Sequence, residues 1–335
     1  DAGKTPGSRR RARARLPPLP FRPGRCQERA MSIPCPPELV TLRDFLRSAV
    51  SRFRAARLEH AHGVTSAHDE AAFLCLEALS LPVDRLDPYL DARLTAAERD
   101  RLAGLIEARV ATRKPACYLV NAAYLGPYRF FVDERVIVPR SYLGELMLSG
   151  ALTDVLVNGS DGETPDSVNP RHILDLCTGS GCLAILAAHI FGEASIDAVD
   201  LSQDALDVAA INVKDYGLED RITLIRSDLL KSLRGRKYDL ILTNPPYVPA
   251  TEVAVFPPEF AAEPAMAHLG GRDGMELVRR ILKDAKRHLA PGGSLICEVG
   301  LARDALEAEF PDLPFFWLDT EESEGEVFWL RRADF

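Results

Sequence analysis

Four consecutive residues, Asn244-Pro245-Pro246-Tyr247, follow the apolar run at 240–242 after a single threonine. Such a run is typical of a strand that is buried on both faces of a parallel sheet, and proline cannot continue that strand. The strand is therefore predicted to end at Asn244, at the edge of the sheet where α/β proteins bind their ligands. An Asn-Pro pair alone is an ordinary turn, so a chemical role depends on the rest of the chain.

A glycine-rich turn in residues 173–188, ILDLCTGSGCLAILAA, is the second candidate site. A strand-like run leads through Gly179 and Gly181 directly into a helix-like run. Gly179 permits a tight turn and Gly181 lets the backbone approach a ligand closely, so the turn is predicted to bind a nucleotide-like ligand. The spacing also fits the dinucleotide fingerprint of a dehydrogenase, which leaves an NAD enzyme open at this point.

Three aspartates follow successive strands, and two of them, Asp175 and Asp228, favour a ligand other than NAD. Asp175 lies four residues before the first glycine of the turn, where a carboxylate would repel a pyrophosphate but could hold an ammonium group. Asp200, at the end of the second strand, is positioned to hold ribose hydroxyls. Asp228, beside the apolar Leu229, follows the third strand and offers an acceptor for an adenine amino group.

Alternating strand-like and helical segments position these residues. The strand-like runs lie at 173–176, 195–199, 222–225, 239–243 and 294–298, with helical stretches such as 181–191 and 202–217 between them. This alternation predicts an α/β fold with a doubly wound, mostly parallel sheet. Two apolar runs around Gly325 predict a terminal hairpin that adds an antiparallel strand at one edge of the sheet.

Two smaller units precede this fold. From 39 to about 110 the apolar residues recur at three- and four-residue spacings, which predicts a helical domain, and Thr95 with Glu98 forms a capping box for its third helix. Aromatic and β-branched residues around Gly126 predict a β-hairpin followed by a short strand. The predicted boundaries are 31–115 for the helical domain, 116–140 for the hairpin linker and 141–335 for the α/β domain.

Composition and charge argue against several classes of protein. No apolar run among the 335 residues approaches the length of a membrane span. The seven cysteines are scattered without a Cys-x-x-Cys pair and the histidines are dispersed, so reduced thiols in the cytoplasm and no metal site are expected. Of the net charge of −8, residues 31–335 carry −15, which disfavours a stable nucleic-acid partner and favours a basic protein.

Residues 1–30 differ from the rest of the chain. They carry nine Lys and Arg against two acids, and five prolines with little apolar periodicity, which predicts a disordered basic segment. Asp1 is not an initiator, and the chain uses 34 Arg against 7 Lys, as a GC-rich genome would. The segment is therefore interpreted as lying upstream of a natural start at Met31.

The acidic residues, glycines and asparagine at the ends of successive strands resemble a class I S-adenosylmethionine-dependent methyltransferase. Asn-Pro-Pro-Tyr resembles the subset that methylates planar nitrogens, which includes DNA amino-methyltransferases and protein glutamine methyltransferases. ERVIVPRS, DLCTGSGCLAI, TNPPYV, EPAMAHLGGRDG and ICEVG resemble, in this order, the bacterial protein-(glutamine) methyltransferases over roughly residues 39–332. The helical domain and the ERVIVPRS region look most like the branch that modifies protein three of the large ribosomal subunit. One departure is Tyr142-Leu143, where that pattern has proline and isoleucine.

The resemblance implies roles for individual residues. S-adenosyl-L-methionine would be bound by Asp175, Thr178, Gly179, Ser180, Gly181, Asp200, Asp228, Leu229 and Asn244. An amide nitrogen is a poor nucleophile because its lone pair is delocalised into the carbonyl. If the side-chain oxygen of Asn244 and the backbone oxygen of Pro245 each accept one amide hydrogen, the lone pair is aimed at the methyl group. Tyr247 can stack on the amide, and Pro246 stiffens the turn.

Arg140 is predicted to lie at the mouth of this site and is assigned to the substrate, with a surface ion pair as the alternative. The resemblance implies that the substrate is a glutamine in a large-subunit ribosomal protein, methylated before assembly and selected by the helical domain. Peptide-chain release factors are an alternative substrate. A DNA or RNA amino-methyltransferase and a non-catalytic ribosome assembly factor are alternatives of other classes.

Overall fold

The computed structural model describes residues 37–159, 169–321 and 323–335. The basic segment predicted at 1–30 lies outside the described residues. The α-helices are α1 (Leu42–Ala55), α2 (Ala67–Ala78), α3 (Ala96–Thr112), α4 (Ala116–Leu119), α5 (Tyr142–Ser149), α6 (Ala151–Gly159), α7 (Cys182–Ile190), α8 (Gln203–Asp215), α9 (Ala250–Val253), α10 (Glu276–His288) and α11 (Arg303–Glu309). The strands are β1 (Ala123–Leu125), β2 (Tyr128–Phe130), β3 (His172–Leu176), β4 (Ser195–Asp200), β5 (Ile222–Arg226), β6 (Tyr238–Thr243), β7 (Leu289–Glu298), β8 (Phe316–Leu318) and β9 (Val327–Arg331).

The first three helices pack around one apolar core. Helix α3 begins at the capping box of Thr95 and Glu98, as the sequence predicts. Phe45 and Phe53 of α1 are fully buried against Leu74 of α2 and Leu102 of α3. The three- and four-residue spacing of apolar side chains places them on one face of each helix, and burying these faces stabilises the bundle.

The segment after this bundle is only partly as predicted. Strands β1 and β2 form the expected hairpin, with Leu125 opposite Tyr128 across a turn in which Gly126 has a positive φ of 57°. Residues 116–119 are helical instead of extended, and no strand follows the hairpin before residue 138. There Asp133 accepts hydrogen bonds from the backbone and guanidinium of Arg135, which makes a local turn that competes with strand formation.

Seven strands form a mixed sheet in the order β5-β4-β3-β6-β7-β9-β8. Strands β3 to β7 pair in parallel, β9 pairs antiparallel with β7, and β8 pairs antiparallel with β9. This arrangement confirms the predicted fold class and the antiparallel terminal hairpin at one edge. Because the strands are parallel, the carboxyl ends of β3, β4, β5, β6 and β7 meet at the same edge of the sheet.

Both faces of the sheet are covered. Ile173 and Leu240 belong to the core on one face, while Leu174 and Ile241 belong to the core on the other, and all four are fully buried. The continuous apolar run in β6 and the nearly continuous one in β3, which only Asp175 interrupts, are the consequence, since both faces of each strand are buried. Among the described helices, none combines the length and the apolar character that crossing a membrane requires.

Buried ion pairs connect the helical bundle internally and to the sheet domain. Arg109 of α3 is fully buried and donates two hydrogen bonds to the carboxylate of Glu70 in α2, at 2.7 and 3.1 Å. Arg113 pairs with the fully buried Glu259 of the sheet domain at 2.6 Å. Such pairs stabilise a fold only when both partners are present, because either charge alone is poorly solvated.

We predict that Arg109→Leu lowers the free energy of unfolding by about 3–5 kcal/mol, since it leaves the Glu70 carboxylate buried without its cation. Arg43→Leu is the matched control, because Arg43 pairs with Asp91 at 2.9 Å on the exposed surface. That change should cost much less, because exposed ion pairs contribute little to stability. Urea unfolding followed by circular dichroism measures both, and equal losses would contradict the prediction.

Candidate active site

The residues predicted to bind the substrate line one cavity. The cavity has a volume of about 1340 Å³ and lies at the carboxyl ends of β6 and β7. Its walls include Asn244, Pro245, Pro246, Tyr247 and Arg140. The loop at 60–65 of the helical bundle and the hairpin turn at 124–126 complete the walls. The structure therefore brings together three parts of the chain that are far apart in sequence.

Asn244 follows β6 and presents free acceptors to the cavity. The side chain of Thr243 donates a hydrogen bond to the backbone oxygen of Leu176 at 2.8 Å, which ties the end of β6 to that of β3. Nδ2 of Asn244 lies 3.5 Å from the backbone oxygen of Arg140 and donates to it. Within the described residues, neither Oδ1 of Asn244 nor the backbone oxygen of Pro245 accepts a hydrogen bond. Two acceptors are thus left for a ligand.

Tyr247 is held from two sides. Its hydroxyl donates a hydrogen bond to Oε1 of Glu298 at 3.1 Å, and Glu298 is only 2% exposed at the end of β7. A Cβ at Gly300 would lie 2.7 Å from the ring, so only glycine fits there. Burial raises the pKa of Tyr247 and also that of Glu298. The phenol is therefore a neutral anchor with a fixed ring.

The glycine-rich loop at 268–274 packs against the backbone of the Asn-Pro-Pro-Tyr turn. A Cβ at Gly274, whose φ is +81°, would lie 2.3 Å from the backbone oxygen of Tyr247. A Cβ at Gly270 would lie 2.7 Å from the Cα of Tyr247. Val248 bonds to the backbone of His268 in the same loop at 2.9 Å. The close approach of two backbones explains the spacing of glycines in GGRDG, since larger residues would push the turn into the cavity.

Arg140 lines the cavity but is engaged by a buried carboxylate. Its guanidinium donates two hydrogen bonds of 2.8 Å to Glu263, whose side chain is fully buried. The alternative of an ion pair is therefore confirmed in part: Arg140 is paired, but its partner is a buried carboxylate in bidentate geometry, so the pair is not a surface one. Burial opposes ionisation of Glu263, but the nearby His268, His62 and Arg140 lower its pKa well below the ordinary range.

Asp175 fastens the glycine-rich turn to the helix that follows. Its side chain is fully buried, and Oδ2 accepts hydrogen bonds from the Thr178 hydroxyl at 2.5 Å and from the Ala184 backbone at 3.0 Å. Oδ1 has no hydrogen-bond partner among the described residues. Burial raises the pKa of Asp175 to about 7. An unsatisfied buried acceptor of this kind indicates a place for a donor from a ligand.

The two predicted glycines have different surroundings. A Cβ at Gly179 would project into open space, and the Gly179 backbone donates a hydrogen bond to Asp200 at 2.9 Å. A Cβ at Gly181 would lie 3.2 Å from the Cβ of Ala209 in α8. Both glycines have positive φ angles, 55° and 81°. Gly179 therefore faces the space that a ligand could fill, whereas Gly181 allows two helices to pack closely.

Asp200, Asp228 and Leu229 follow their strands as predicted. Burial raises the pKa of Asp200, which also accepts a hydrogen bond from the Ser202 backbone. Asp228 forms ion pairs with Lys231 and Arg280, both at 2.5 Å, which lower its pKa. Leu229 has a positive φ of 49°, an uncommon conformation for a residue with a side chain. Such backbone conformations are costly and concentrate at ligand sites.

Glu263 and Glu298 have site contacts that sequence analysis missed. Glu298 also accepts a hydrogen bond from the Ser141 hydroxyl at 2.6 Å. Both glutamates lie inside segments that carry the family resemblance, EPAMAHLGGRDG and ICEVG. Their presence in these segments was the available signal, but Arg140 and Ser141, the partners that lie on the opposite wall, are more than 120 residues away in the chain and could not be identified from it.

We predict that Asp175→Asn changes the pH dependence of stability in the protein without ligand. Between its ordinary pKa of 3.8 and the folded value of about 7, Asp175 binds more protons in the folded than in the unfolded state. Its contribution to stability therefore falls as pH rises through this interval. The unfolding free energy of the variant relative to wild type should rise from about pH 4 to about pH 7 and then level off.

Urea titrations at several pH values measure this difference. Asp273→Asn is the control, because hydrogen bonds from Arg279 lower the pKa of this exposed residue to about 2, below the interval. Its difference from wild type should stay constant above pH 5. A difference for Asp175→Asn that is independent of pH would contradict the prediction.

Comparison with known proteins agrees with this geometry. The family "Methyltransferase small domain" matches residues 155–258. A protein of Bradyrhizobium diazoefficiens is 54% identical over 301 residues, 89% of this chain and 92% of that protein. Proteins of Neisseria meningitidis serogroup B and Bordetella pertussis are each 50% identical, over 88% of this chain and 94% and 96% of theirs. All three are named ribosomal protein uL3 glutamine methyltransferase.

The relatives cover the helical bundle, the hairpin and the sheet domain together, since they align with nearly nine tenths of the chain. The resemblance noted in the sequence is confirmed, as is the class I methyltransferase fold. The protein belongs to the family of ribosomal protein uL3 glutamine methyltransferases.

Proposed function

We propose that this enzyme transfers a methyl group from S-adenosyl-L-methionine to the side-chain amide nitrogen of a glutamine in ribosomal protein uL3. The single observation that carries the proposal is the pair of free acceptors at Asn244 and Pro245. An amide NH₂ group has two hydrogens in one plane, and two fixed acceptors match it. The names of relatives that are about half identical over nearly the whole chain support the same substrate.

The residues of the glycine-rich turn fit S-adenosylmethionine, which supplies an electrophilic methyl group on a sulfonium. The unpartnered Oδ1 of Asp175 can accept from its ammonium group, directly or through water. Asp200 is assigned to the ribose hydroxyls, and Asp228 with Leu229 to the adenine. Thr178 and Ser180 complete the turn, and Gly179 leaves the space that the ligand needs. Gly181 supports this turn through its packing on α8.

Asn244 and Pro245 prepare the nucleophile. Oδ1 of Asn244 and the backbone oxygen of Pro245 each accept one amide hydrogen, which aligns the nitrogen and stabilises the positive charge that grows on it. Proline has no N–H, so Pro245 and Pro246 supply no competing donor. The ring of Tyr247, fixed by Glu298 and Gly300, is available to pack against the flat amide. No general base is required, because the proton becomes acidic once the methyl group is transferred.

The helical part of the chain, residues 31–115, is assigned to substrate recognition, and residues 116–140 to a linker before the catalytic part at 141–335. A cavity of about 1340 Å³ is much larger than one glutamine side chain, so it has room for the residues that flank the glutamine. His60 and Val64 of the helical bundle line this cavity together with Phe260 of the sheet domain. A substrate loop that enters the cavity would therefore contact both parts.

The preferred partner is free uL3 in the cytoplasm, before ribosome assembly. Ribosomal proteins are strongly basic, and the net charge of −15 on residues 31–335 attracts them at long range. Once the substrate loop is packed against ribosomal RNA, the phosphates repel the acidic enzyme and the glutamine is out of reach.

We predict that Asn244→Ala reduces turnover about 10²- to 10³-fold, because it removes one acceptor that stabilises the transition state. Stability should change little, since Asn244 makes one long hydrogen bond of 3.5 Å. Transfer of labelled methyl groups to purified uL3 measures the rate. Asn169→Ala is the control, because Asn169 is exposed and lies three residues before β3 at the opposite edge of the sheet. Wild-type turnover in Asn244→Ala would refute the assignment.

We further predict that purified free uL3 accepts one methyl group on a glutamine, whereas intact large subunits accept almost none. The rate with free uL3 should fall as salt rises, because ions screen the attraction between the acidic enzyme and its basic substrate. Mass spectrometry of the labelled protein locates the modified residue. Equal labelling of assembled subunits, or labelling only of release factors or of DNA, would show that this substrate is wrong.

A further inference from the structure

Two buried carboxylates hold the segment 138–143, which forms one wall of the cavity. Glu263 accepts a hydrogen bond from the Val138 backbone at 2.9 Å in addition to those from Arg140. Glu298 accepts from the Ser141 hydroxyl at 2.6 Å and from the Leu143 backbone at 3.4 Å. The segment is thus fixed at its beginning by one carboxylate and at its end by the other.

This segment determines which end of the Asn244 amide faces the cavity. Nδ2 donates to the backbone oxygen of Arg140, at 3.5 Å. If the amide rotated by half a turn, Oδ1 would face that oxygen, and two acceptors would repel each other. The position of the Arg140 backbone therefore selects the orientation in which Oδ1 is free for a substrate N–H. A hydrogen bond this long is weak, so its effect depends on how firmly the segment is held.

Glu298 connects both walls around Asn244. Its Oε2 binds Ser141 and Leu143, and its Oε1 accepts from Tyr247, three residues after Asn244. Burying a carboxylate is costly, and the cost is offset only when donors satisfy both oxygens. Here the donors come from two segments, 141–143 and 244–247, which together carry the acceptor site. An apolar residue at position 298 could not connect these two segments by hydrogen bonds.

We propose that Glu298 is a positioning residue for methyl transfer. It holds Ser141 and Leu143 in place, so that the backbone oxygen of Arg140 orients the Asn244 side chain with Oδ1 toward the substrate amide. Glu298 itself does not touch the reacting atoms. Arg140 then serves the reaction through its backbone oxygen, while its guanidinium is held by Glu263. The inference rests on the proposed function, because it concerns the orientation of the acceptor that binds the glutamine.

The test uses the full chain with Glu298→Gln, which keeps the shape of the side chain but replaces one acceptor oxygen with a donor NH₂. The matched control is Asp197→Asn. Asp197 is also a largely buried carboxylate that accepts from a tyrosine hydroxyl, that of Tyr238 at 2.7 Å, and it pairs in addition with Arg236; Tyr238 begins β6, at the end of that strand away from Asn244. Both variants lose a carboxylate–tyrosine pair, and only one of them is next to Asn244.

Glu298→Gln should lower kcat about 10-fold, as expected when a reacting group is misplaced by a fraction of an ångström. The binding of S-adenosylhomocysteine should change less than about twofold, because Glu298 hydrogen-bonds to none of Asp175, Gly179 and Asp200, and kcat should fall more than the KM for uL3 rises. Combined with Asn244→Ala, Glu298→Gln should cause no further loss of kcat, since there is no amide left to orient. Asp197→Asn should keep wild-type kcat.

Hydrogen exchange gives a readout that does not depend on activity. Peptides that span 138–146 should exchange faster in Glu298→Gln, because a neutral amide oxygen binds the Leu143 N–H more weakly than a carboxylate does, and should be unchanged in Asp197→Asn. Any one of three results would overturn the inference. These are a wild-type kcat in Glu298→Gln, the same fold loss of kcat when Glu298→Gln is added to Asn244→Ala, and unchanged hydrogen exchange at 138–146. If instead the wild-type enzyme fails to methylate glutamine in uL3, the proposed function fails, and the exchange data still report separately whether Glu298 holds the segment.

Discussion

The parallel pairing of β3 with β6 is the constraint on which the site depends. Leu176 lies opposite Thr243 in this register, and the Thr243 hydroxyl bonds to the Leu176 backbone. The glycine-rich turn that follows β3 and the Asn-Pro-Pro-Tyr turn that follows β6 must therefore leave the sheet side by side. A shift of one residue in either strand would reverse its buried side chains, so the apolar core fixes the relative position of the two turns.

Loops and the first turns of helices carry backbone N–H groups without backbone partners, and here carboxylates of the site accept several of them. Asp175 takes the Ala184 N–H, Asp200 that of Gly179, Glu263 that of Val138 and Glu298 that of Leu143. Each carboxylate thus joins a strand end or loop to another segment of the site. Charged acceptors form stronger hydrogen bonds than neutral ones, which suits turns that must keep their shape while ligands exchange.

Strands and short motifs can be predicted from the sequence, whereas contacts between residues that are far apart in the chain cannot. Apolar runs predict β3 to β6 to within about one residue, but β7 begins at Leu289, before the predicted start at 294. Asn244 and Gly179 can be proposed as site residues because adjacent residues carry their motifs. The expected strand before residue 138 is wrong because Asp133 and Arg135 form a turn. The pairing of Arg140 with Glu263 spans 123 residues, and no periodicity encodes such a contact. The left-handed backbone of Leu229 is equally hidden, since leucine disfavours it.

The engagement of Arg140 changes what can select the substrate. A guanidinium that is held by two hydrogen bonds to a fully buried carboxylate has little freedom to bind a substrate carboxylate or phosphate. Releasing it would leave the Glu263 charge buried with fewer donors, at a cost of several kcal/mol. Recognition at this wall of the cavity must therefore come from shape and backbone position. In the proposed function, the free acceptors at Asn244 and Pro245 would then select the amide, and the helical bundle, which lines the same cavity, would contact the residues around it.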